Sequence, residues 1–404
     1  MSAASIDPIN IVDLFAGCGG FTQGFHEFVP DGASESPFRT VGAVEWDKAA
    51  AATYAQNFAK EAGGIEKIFA GNIKDWNPGD VNADVQVILG GPPCQGFSGL
   101  GKENPEDPRN KLWQEYVRVV EKLSPEIFVI ENVDRFFKSV EYAALLKALD
   151  GGPLAEYEIS GGHLVAADYG SPQTRKRTIV IATHKDIIKA HPTRRPMAHP
   201  TPTHIEPADT DGTLWEEETG LLPWNPASEV FGRPGNPNPL VPEETPSTEL
   251  PMGKVEFSGK MFPGAFRTDQ LHIGRNPTDL SLERYESIPP GGNRWDIPDR
   301  ISTKSWLNHR NGSGDVMGRM HLDRPSVTIR TEFYKPEKGR YLHPWAHRPI
   351  THLEAALIQG FPRDFLWCGS KTQIARQIGN AVPVDLSRAI AKQVYEYLRE
   401  VKRS

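Results

Sequence analysis

The strongest constraint on the fold is a regular alternation of short apolar segments and helical segments through residue 183. The predicted strands cover residues 10–15, 40–45, 65–69, 85–89 and 127–133, followed by a closing pair at 157–167 and 178–183. Predicted helices cover residues 21–29, 48–61, 109–123 and 139–150. Strands that alternate with helices in this way predict an α/β fold with a doubly wound, mostly parallel sheet.

Polar or reactive residues follow the predicted strands where each strand ends. A glycine turn at residues 16–20 follows the first strand, and the next four strands lead to Glu45, Asn72, Cys94 and Glu131. The carboxyl ends of parallel strands form the edge at which open α/β sheets bind ligands. The sequence therefore predicts that these residues belong to one site.

The glycine turn and the end of the second strand favour an adenosine cofactor. Glycines let the backbone approach a ligand, and the following helix N-terminus helps to bind polar groups. The turn lacks the GxGxxG spacing of dinucleotide sites, which makes NAD the weaker candidate. Glu45 is placed to bind a ribose diol, and Trp46 to pack on an adenine ring. A helix cap and a core aromatic explain the same two residues.

Cys94 lies in a segment, residues 90–98, where two glycines and two prolines end a strand and further glycines follow. A thiol on a stiff turn beside a mobile loop suits a nucleophile with a closing lid. A lone cysteine is equally compatible with an ordinary turn. Glu131 follows four apolar residues at the end of a strand, where acids with catalytic roles are often found, although a helix cap or a salt bridge explains the same residue.

Length and cysteine content limit the possible classes of protein. The 404 residues predict two domains, or one large domain with an insertion. The three cysteines are widely spaced and form no CxxC pair, which favours a reducing cytosol and predicts neither disulfides nor a metal site. No apolar run is long enough to span a membrane, and residues 1–10 lack the features of a secretory signal.

Charge and proline are unevenly distributed in the second half of the chain. The net charge is −7, yet residues 260–348 carry fifteen bases against ten acids, whereas residues 206–249 carry ten acids against one base. A polyanionic partner needs a basic face and not a basic protein, although ordinary variation of a solvated surface explains the same excess. Residues 191–251 contain thirteen prolines, which predicts a linker or a loop-rich segment.

Six motifs occur in an order that resembles the C5-cytosine DNA methyltransferases, in particular the compact bacterial members of restriction-modification systems. The motifs are DLFAGCGG at 13–20, PCQ at 93–95, ENV at 131–133, QxRxR at 173–177, RPSVTI at 324–329 and GNAVP at 379–383. The resemblance implies an S-adenosylmethionine-dependent, Rossmann-like catalytic domain at residues 1–190, completed by residues 345–404. It also implies a linker and a smaller, irregular, inserted target-recognition domain at residues 191–344. Asn72 departs from the family pattern, which usually has an aspartate there.

The resemblance also implies roles for individual residues. Cys94 would add to carbon 6 of a flipped-out cytosine, Glu131 would bind its N3 and exocyclic amine, and Arg175 and Arg177 would supply positive charge, with Arg177 on O2. Residues expected to contact the cofactor are Phe15, Ala16, Gly17, Cys18, Gly19, Gly20, Glu45, Trp46, Asn72, Ile73, Pro92, Leu112 and Asn380. Residues expected to contact DNA are Gln95, Ser98 and Leu100, with Leu100 directed toward the space that the flipped base leaves.

The expected partner is double-stranded DNA, bound by a monomer in the cytoplasm or nucleoid, with a separate cognate endonuclease as a further candidate. An RNA methyltransferase of the same fold is an alternative, but Gly96-Phe97-Ser98 follows the PCQ motif and no Cys-Phe-Thr segment occurs. A DNA-binding homologue without activity is a second alternative, against which Cys94, Glu131 and Arg177 speak. A cysteine hydrolase lacks a suitable histidine, and a dehydrogenase lacks the GxGxxG loop.

Overall fold

A computed structural model describes residues 8–93, 112–190, 193–207, 220–239, 241, 245–308 and 311–403. The chain divides into two compact units. The first unit comprises Met1–Val165, Lys176–Pro202 and Val382–Ser404, and the second comprises Ala166–Arg175 and Thr203–Ala381. The predicted domain boundaries lie after residue 190 and before residue 345, whereas the two units divide after Pro202 and before Val382.

The first unit is built on a seven-stranded sheet with the order β3-β2-β1-β4-β5-β7-β6. Its strands are β1 Ile9–Leu14, β2 Phe38–Glu45, β3 Ile68–Ala70, β4 Val87–Gly90, β5 Ile127–Asn132, β6 Tyr157–Val165 and β7 Lys176–His184. Strands β1 to β5 pair in parallel, whereas β7 runs antiparallel to both β5 and β6. The predicted mostly parallel, doubly wound α/β sheet is confirmed, and the strand order reverses between β1 and β4, where such sheets bind ligands.

The structure describes eleven helices, of which the first four agree with the predicted alternation to within a few residues. They are α1 Gly20–Glu27, α2 Lys48–Ala62, α3 Leu112–Leu123, α4 Val140–Leu149, α5 Lys185–Lys189, α6 Ser228–Phe231, α7 Asp279–Glu286, α8 Lys304–Asn308, α9 His352–Ile358, α10 Lys371–Asn380 and α11 Val384–Arg403. None of the helices that the structure describes combines the length and the apolar character needed to cross a membrane.

Local sequence explains where α2 begins and ends. The Asp47 side chain accepts hydrogen bonds from the backbone N–H groups of Ala49 and Ala50, and Gly63 ends the helix with a φ of 93°. Several alanines along α2 are buried, which lets the helix lie close to the sheet. The position of α2 matters because the loop before it carries Glu45 and Trp46.

The C-terminal helix α11 packs against α1 within the first unit. A Cβ atom on Gly24 would lie 2.4 Å from the Cβ of Ser387, so the two helices meet at a glycine. The Ser387 hydroxyl donates to the carbonyl of Phe21. Residues from the far end of the chain therefore support the helix that follows the glycine turn.

The second unit consists of short strands joined by irregular segments. Its antiparallel pairs are β10 Gly232–Arg233 with β11 Asn236–Pro237, β12 Lys254–Phe257 with β13 Lys260–Pro263, and β14 Phe266–Arg267 with β15 Leu366–Trp367, whereas β8 His204–Ile205 and β9 Leu222–Pro223 pair in parallel. A buried arginine helps to hold this loop-rich unit together. The Arg319 guanidinium donates to the carbonyls of Tyr285, Ile288, His343 and Ala346 at 2.7–3.0 Å.

The residues at 324–331 are typical of a strand, and those at 377–383 predict a tight turn. Both local predictions were wrong. Residues 324–331 form no strand, and Ser326 makes only an isolated bridge with Gln173. The physical reason is that side chains take the place of a neighbouring strand: Gln173 accepts from the N–H of Ile329, and Arg175 donates to its carbonyl. The tight turn predicted from residue 377 begins later, because residues 377–380 are the end of α10.

Candidate active site

Glu45 fixes the glycine turn at the carboxyl edge of the sheet. It is the last residue of β2, which pairs with β1, and its Oε2 accepts from the N–H of Gly17 at 2.8 Å. Its Oε1 accepts from the N–H of Asp47 at 2.6 Å. Burial raises the pKa of Glu45 to about 6, although these backbone donors oppose the shift. The carboxylate therefore orients the turn and keeps further acceptor capacity for a ligand hydroxyl.

The backbone of the turn adopts conformations that favour glycine. Phe15, Gly17 and Gly19 have φ values of 57°, 56° and 93°. Gly17 has open space beside it, since no atom of the described residues would lie within 4 Å of an added Cβ. Ala16 is buried, and Gly20 begins α1. The open side of the turn can accommodate a ligand close to the backbone.

Cys18, also in this turn, is a buried thiol. Burial raises its pKa to about 12, so the thiol stays protonated near neutral pH. A protonated, inaccessible thiol packs as a small apolar side chain. Any contact of Cys18 with a cofactor would therefore come from its backbone.

Three residues predicted to bind adenine lie after β2 and β3. The Trp46 side chain is 68% exposed, which leaves its ring free to stack. Asn72 Oδ1 accepts from the N–H of Lys74 at 3.2 Å, and Ile73 is buried. The N–H of Gly71 donates to the carbonyl of Glu45 at 3.0 Å, which connects the end of β3 to the end of β2. These groups fit an adenosine ligand beside the glycine turn.

Glu131 and Arg177 form an ion pair at the same edge of the sheet. Arg177 Nε lies 2.7 Å from Glu131 Oε1, and the two side chains are 15% and 12% exposed. Strands β5 and β7 pair with Glu131 opposite Ile179, so Arg177 is its diagonal neighbour on the same face. The pair presents a carboxylate and a guanidinium side by side, which suits a ligand that both donates and accepts hydrogen bonds.

The turn that leads to Cys94 is tied to the strand that carries Glu131. Asn132 Nδ2 donates to the carbonyl of Pro92 at 2.8 Å, and an added Cβ on Gly91 would lie 3.3 Å from Glu131 Oε2. The sequence prediction gave no role to Asn132. Its place directly after a strand-end acid was the available signal, because a buried amide there can bind the neighbouring turn.

Arg175 and Arg177, predicted as a pair, have different surroundings. Arg175 belongs to the second unit, is 2% exposed and donates to the carbonyl of Ile329 at 2.9 Å. Gln173 binds the N–H of the same residue and the side chain of Gln359. Arg175 thus connects the QxRxR motif to the RPSVTI motif, and its catalytic role stays a prediction.

The other predicted site residues are less informative or lie outside the described part. Leu112 begins α3 and packs at the edge of the main core, and Asn380 is exposed at the end of α10 in the second unit. Cys94, Gln95, Ser98 and Leu100 lie outside the described residues. Within the described ranges, no group of three or more His, Cys, Asp or Glu side chains could hold a metal ion.

Comparison with known proteins identifies the family. The family model described as C-5 cytosine-specific DNA methylase matches residues 9–226 and 258–396. The chain is 29% identical to the Type II methyltransferase M.DdeI of Desulfomicrobium norvegicum, over 97% of this chain and 90% of that protein. It is 30% identical to the Type II methyltransferase M.XorII of Xanthomonas oryzae pv. oryzae, over 97% and 86% of the two chains.

Solved structures agree on the fold. A crystal structure of a prophage-encoded methyltransferase from E. coli matches with a TM-score of 0.64 at 21% identity, covering 97% of this chain and 99% of that one. The methyltransferase EhMeth of Entamoeba histolytica matches with a TM-score of 0.57 at 16% identity, with coverage of 97% and 99%. The matched family model and the relatives span almost the whole sequence, and the chain belongs to the C-5 cytosine-specific DNA methylase family.

Proposed function

We propose that this DNA cytosine-5-methyltransferase acts through Cys94, Glu131 and Arg177 on a cytosine flipped out of duplex DNA. The observation that carries the proposal is the Glu131–Arg177 ion pair at the carboxyl edge of the sheet, on the strand tied to the turn before Cys94. Glu131 would bind N3 and the exocyclic amine of the base, and Arg177 would donate to O2. Thymine presents the opposite donor and acceptor pattern at N3 and O4, so the same carboxyl group would select cytosine.

The chemistry assigned to Cys94 follows from the low reactivity of carbon 5. The Cys94 thiolate adds to carbon 6 while the Glu131 carboxyl group gives a proton to N3, which turns carbon 5 into an enamine-type nucleophile. S-adenosylmethionine, when bound, would supply the electrophilic methyl group and leave as S-adenosylhomocysteine. Loss of the carbon-5 proton to a base, with return of the N3 proton to Glu131, then expels the Cys94 thiolate and restores the aromatic ring. Positive charge near Cys94 would favour the thiolate.

The residues proposed to hold the cofactor are those around the glycine turn. Glu45 would bind the ribose hydroxyls while it keeps its bond to the Gly17 N–H. Trp46 and Ile73 would contact the adenine ring, and Asn72 would offer a neutral side-chain oxygen to its amino group. The exposed ring of Trp46 and the open side of Gly17 support this assignment.

Base flipping supplies the remaining step of substrate binding. A cytosine inside a duplex cannot reach the Glu131–Arg177 pair, so it must leave the stack at a cost of a few kcal/mol. We assign occupation of the vacated space to Leu100. Residues 191–344 would form the linker and the target-recognition domain, which the local excess of basic residues at 260–348 supports.

We also propose sequence-specific methylation in a restriction-modification system, by a monomer in the bacterial cytoplasm. The Type II methyltransferases among the relatives support this context. A separate endonuclease with the same recognition sequence would be its partner.

The direct test incubates the protein with labelled S-adenosylmethionine and either mixed-sequence DNA or transfer RNA, and then maps the modified bases. We expect label on carbon 5 of cytosines in one DNA sequence context. Label on RNA alone, on the exocyclic N4, or on neither nucleic acid would contradict the proposal.

A second test addresses the nucleophile. Duplex DNA with 5-fluorocytosine at the mapped target should form a covalent complex with the protein, because fluorine at carbon 5 cannot leave as a proton does. The Cys94→Ser variant should not be trapped. Equal trapping of the variant would exclude Cys94 as the nucleophile.

A further inference from the structure

A buried carboxyl group on the strand before the glycine turn has no part in the chemistry proposed above. Asp13 lies on β1, is 1% exposed, and has its pKa raised to about 7 by burial. A buried carboxyl group costs free energy unless it makes hydrogen bonds. Asp13 Oδ2 accepts one from the hydroxyl of Thr22 at 2.7 Å.

The hydrogen bond to Asp13 is the first of two that join three elements. Thr22 lies in the first turn of α1, and its Oγ1 is 2.8 Å from the hydroxyl of Tyr54 on α2. All three side chains are buried, so water does not compete for these bonds. The hydrogen bonds that join Asp13, Thr22 and Tyr54 therefore link β1, α1 and α2 on the side of the turn that faces the protein interior.

Tyr54 also supports the turn by packing. An added Cβ on Gly19 would lie 3.0 Å from Cδ2 of Tyr54 and 2.3 Å from Cε2 of Phe58, so the turn rests on these two rings. At its other end, the turn is held by the bond from the Gly17 N–H to Glu45. Displacement of the Tyr54 ring would move Gly19 relative to Glu45, the residue proposed to bind ribose.

We infer that Asp13, Thr22 and Tyr54 are positioning residues that set cofactor affinity by holding the glycine turn in its binding conformation. The inference rests on the proposed cofactor site and adds residues that do not touch the ligand. A turn that is already ordered loses less conformational entropy when a ligand binds, which increases affinity. Cofactor affinity should therefore depend on these bonds, whereas DNA affinity should not.

The test measures S-adenosylhomocysteine binding by calorimetry, together with steady-state kinetics. Thr22→Val and Tyr54→Phe each remove a hydroxyl and keep the shape, and each should raise the Kd for S-adenosylhomocysteine by roughly three- to tenfold. The KM for S-adenosylmethionine should rise in parallel, whereas the KM for DNA and kcat should stay within about twofold. Asp13→Asn keeps an acceptor for Thr22 and should bind nearly as well as wild type, whereas Asp13→Ala should not.

Tyr157→Phe is the matched control. Tyr157 is a buried tyrosine of the same unit, and its hydroxyl donates to the carbonyl of Pro125 at 2.8 Å. It begins β6, at the opposite end of the sheet from the site. The control should lower Tm about as much as Tyr54→Phe does without changing the Kd.

Two outcomes would overturn the inference. One is wild-type affinity in both Thr22→Val and Tyr54→Phe, and the other is an equal loss of affinity in Tyr157→Phe. Absence of S-adenosylhomocysteine binding by the wild-type protein would instead contradict the proposed cofactor site.

Discussion

Arg177 at the start of β7 and Glu131 near the end of β5 form an ion pair with an Nε–Oε1 distance of 2.7 Å. The pair depends on an antiparallel register in which Glu131 lies opposite Ile179. Because β7 runs against the parallel strands, its first residues reach the edge at which β5 ends. This reversal of strand direction brings a cation to the acid that would bind the target base.

Substitution of either member of the pair should impair catalysis more than folding. Glu131→Gln and Arg177→Ala should each lower kcat by about 10²- to 10⁴-fold, because the base loses a partner that acts during addition at carbon 6. S-adenosylhomocysteine affinity should change little. Steady-state kinetics and calorimetry measure the two effects. Glu158→Gln, on an exposed position of β6, is the control and should retain full activity.

Arg175→Ala should affect stability first. Its guanidinium is buried and binds the carbonyl of Ile329, so truncation should cost about 2–4 kcal/mol from a lost charged hydrogen bond and lost packing. Denaturant unfolding measures this loss. Below the unfolding transition, kcat should stay within about threefold of wild type. A stable Arg175→Ala protein with kcat reduced 100-fold or more would contradict this expectation and support the catalytic role predicted from sequence.

Gly19→Ala and Gly63→Ala form a matched pair, since both residues have a φ of 93°. Each substitution should cost about 1 kcal/mol for the left-handed conformation. Among the described residues, no atom lies within 4 Å of an added Cβ on Gly63. At Gly19 the methyl group would meet Phe58 and Tyr54, which should add about 1–3 kcal/mol. Only Gly19→Ala should weaken S-adenosylhomocysteine binding. Equal effects of the two substitutions on unfolding and binding would contradict the close packing of the turn.

Acid should destabilise the second unit through Glu354. Burial opposes the charge of Glu354, but Arg348 binds both carboxylate oxygens at 2.6 and 2.9 Å, and the pKa is lowered to about 2. A carboxyl group with a lowered pKa in the folded state contributes stability above its unfolded pKa of 4.5 and loses it as pH falls toward 2. The loss should approach about 3 kcal/mol.

His343 should also lower the stability of the second unit in acid, beginning at a higher pH than Glu354 does. Its Nδ1 accepts from the N–H groups of Trp345 and Ala346, and burial lowers its pKa to about 3. Below pH 6.5 the unfolded state binds more protons than the folded state does. The free energy of unfolding should therefore fall as the pH falls below 6.5. Denaturant titrations at pH 7, 5.5, 4 and 3 measure both effects. The Glu354→Gln variant should be less stable than wild type at pH 7, and its free energy of unfolding should change less with pH below 4.5. Glu337→Gln, at an exposed position, should match wild type.

Much of the first unit could be predicted from sequence because its elements are regular. The apolar runs that predicted β1, β4 and β5 are buried in the sheet, and Glu45 and Glu131 lie at strand ends as expected. In the second unit, residues 324–331 have the composition of a strand but bind the side chains of Gln173 and Arg175 instead. Such contacts join residues about 150 positions apart, and no local pattern records them.

The sequence by itself determined the fold class, the family and the order of the motifs along the carboxyl edge, because strand and helix periodicity and short motifs are local properties. The tertiary structure decided which of two neighbouring arginines pairs with Glu131, that Asn132 binds the turn before Cys94, and that Asp13 lies buried behind the glycine turn. These relationships depend on strand register and packing between distant segments. Many sequences with the same local patterns could arrange those contacts differently.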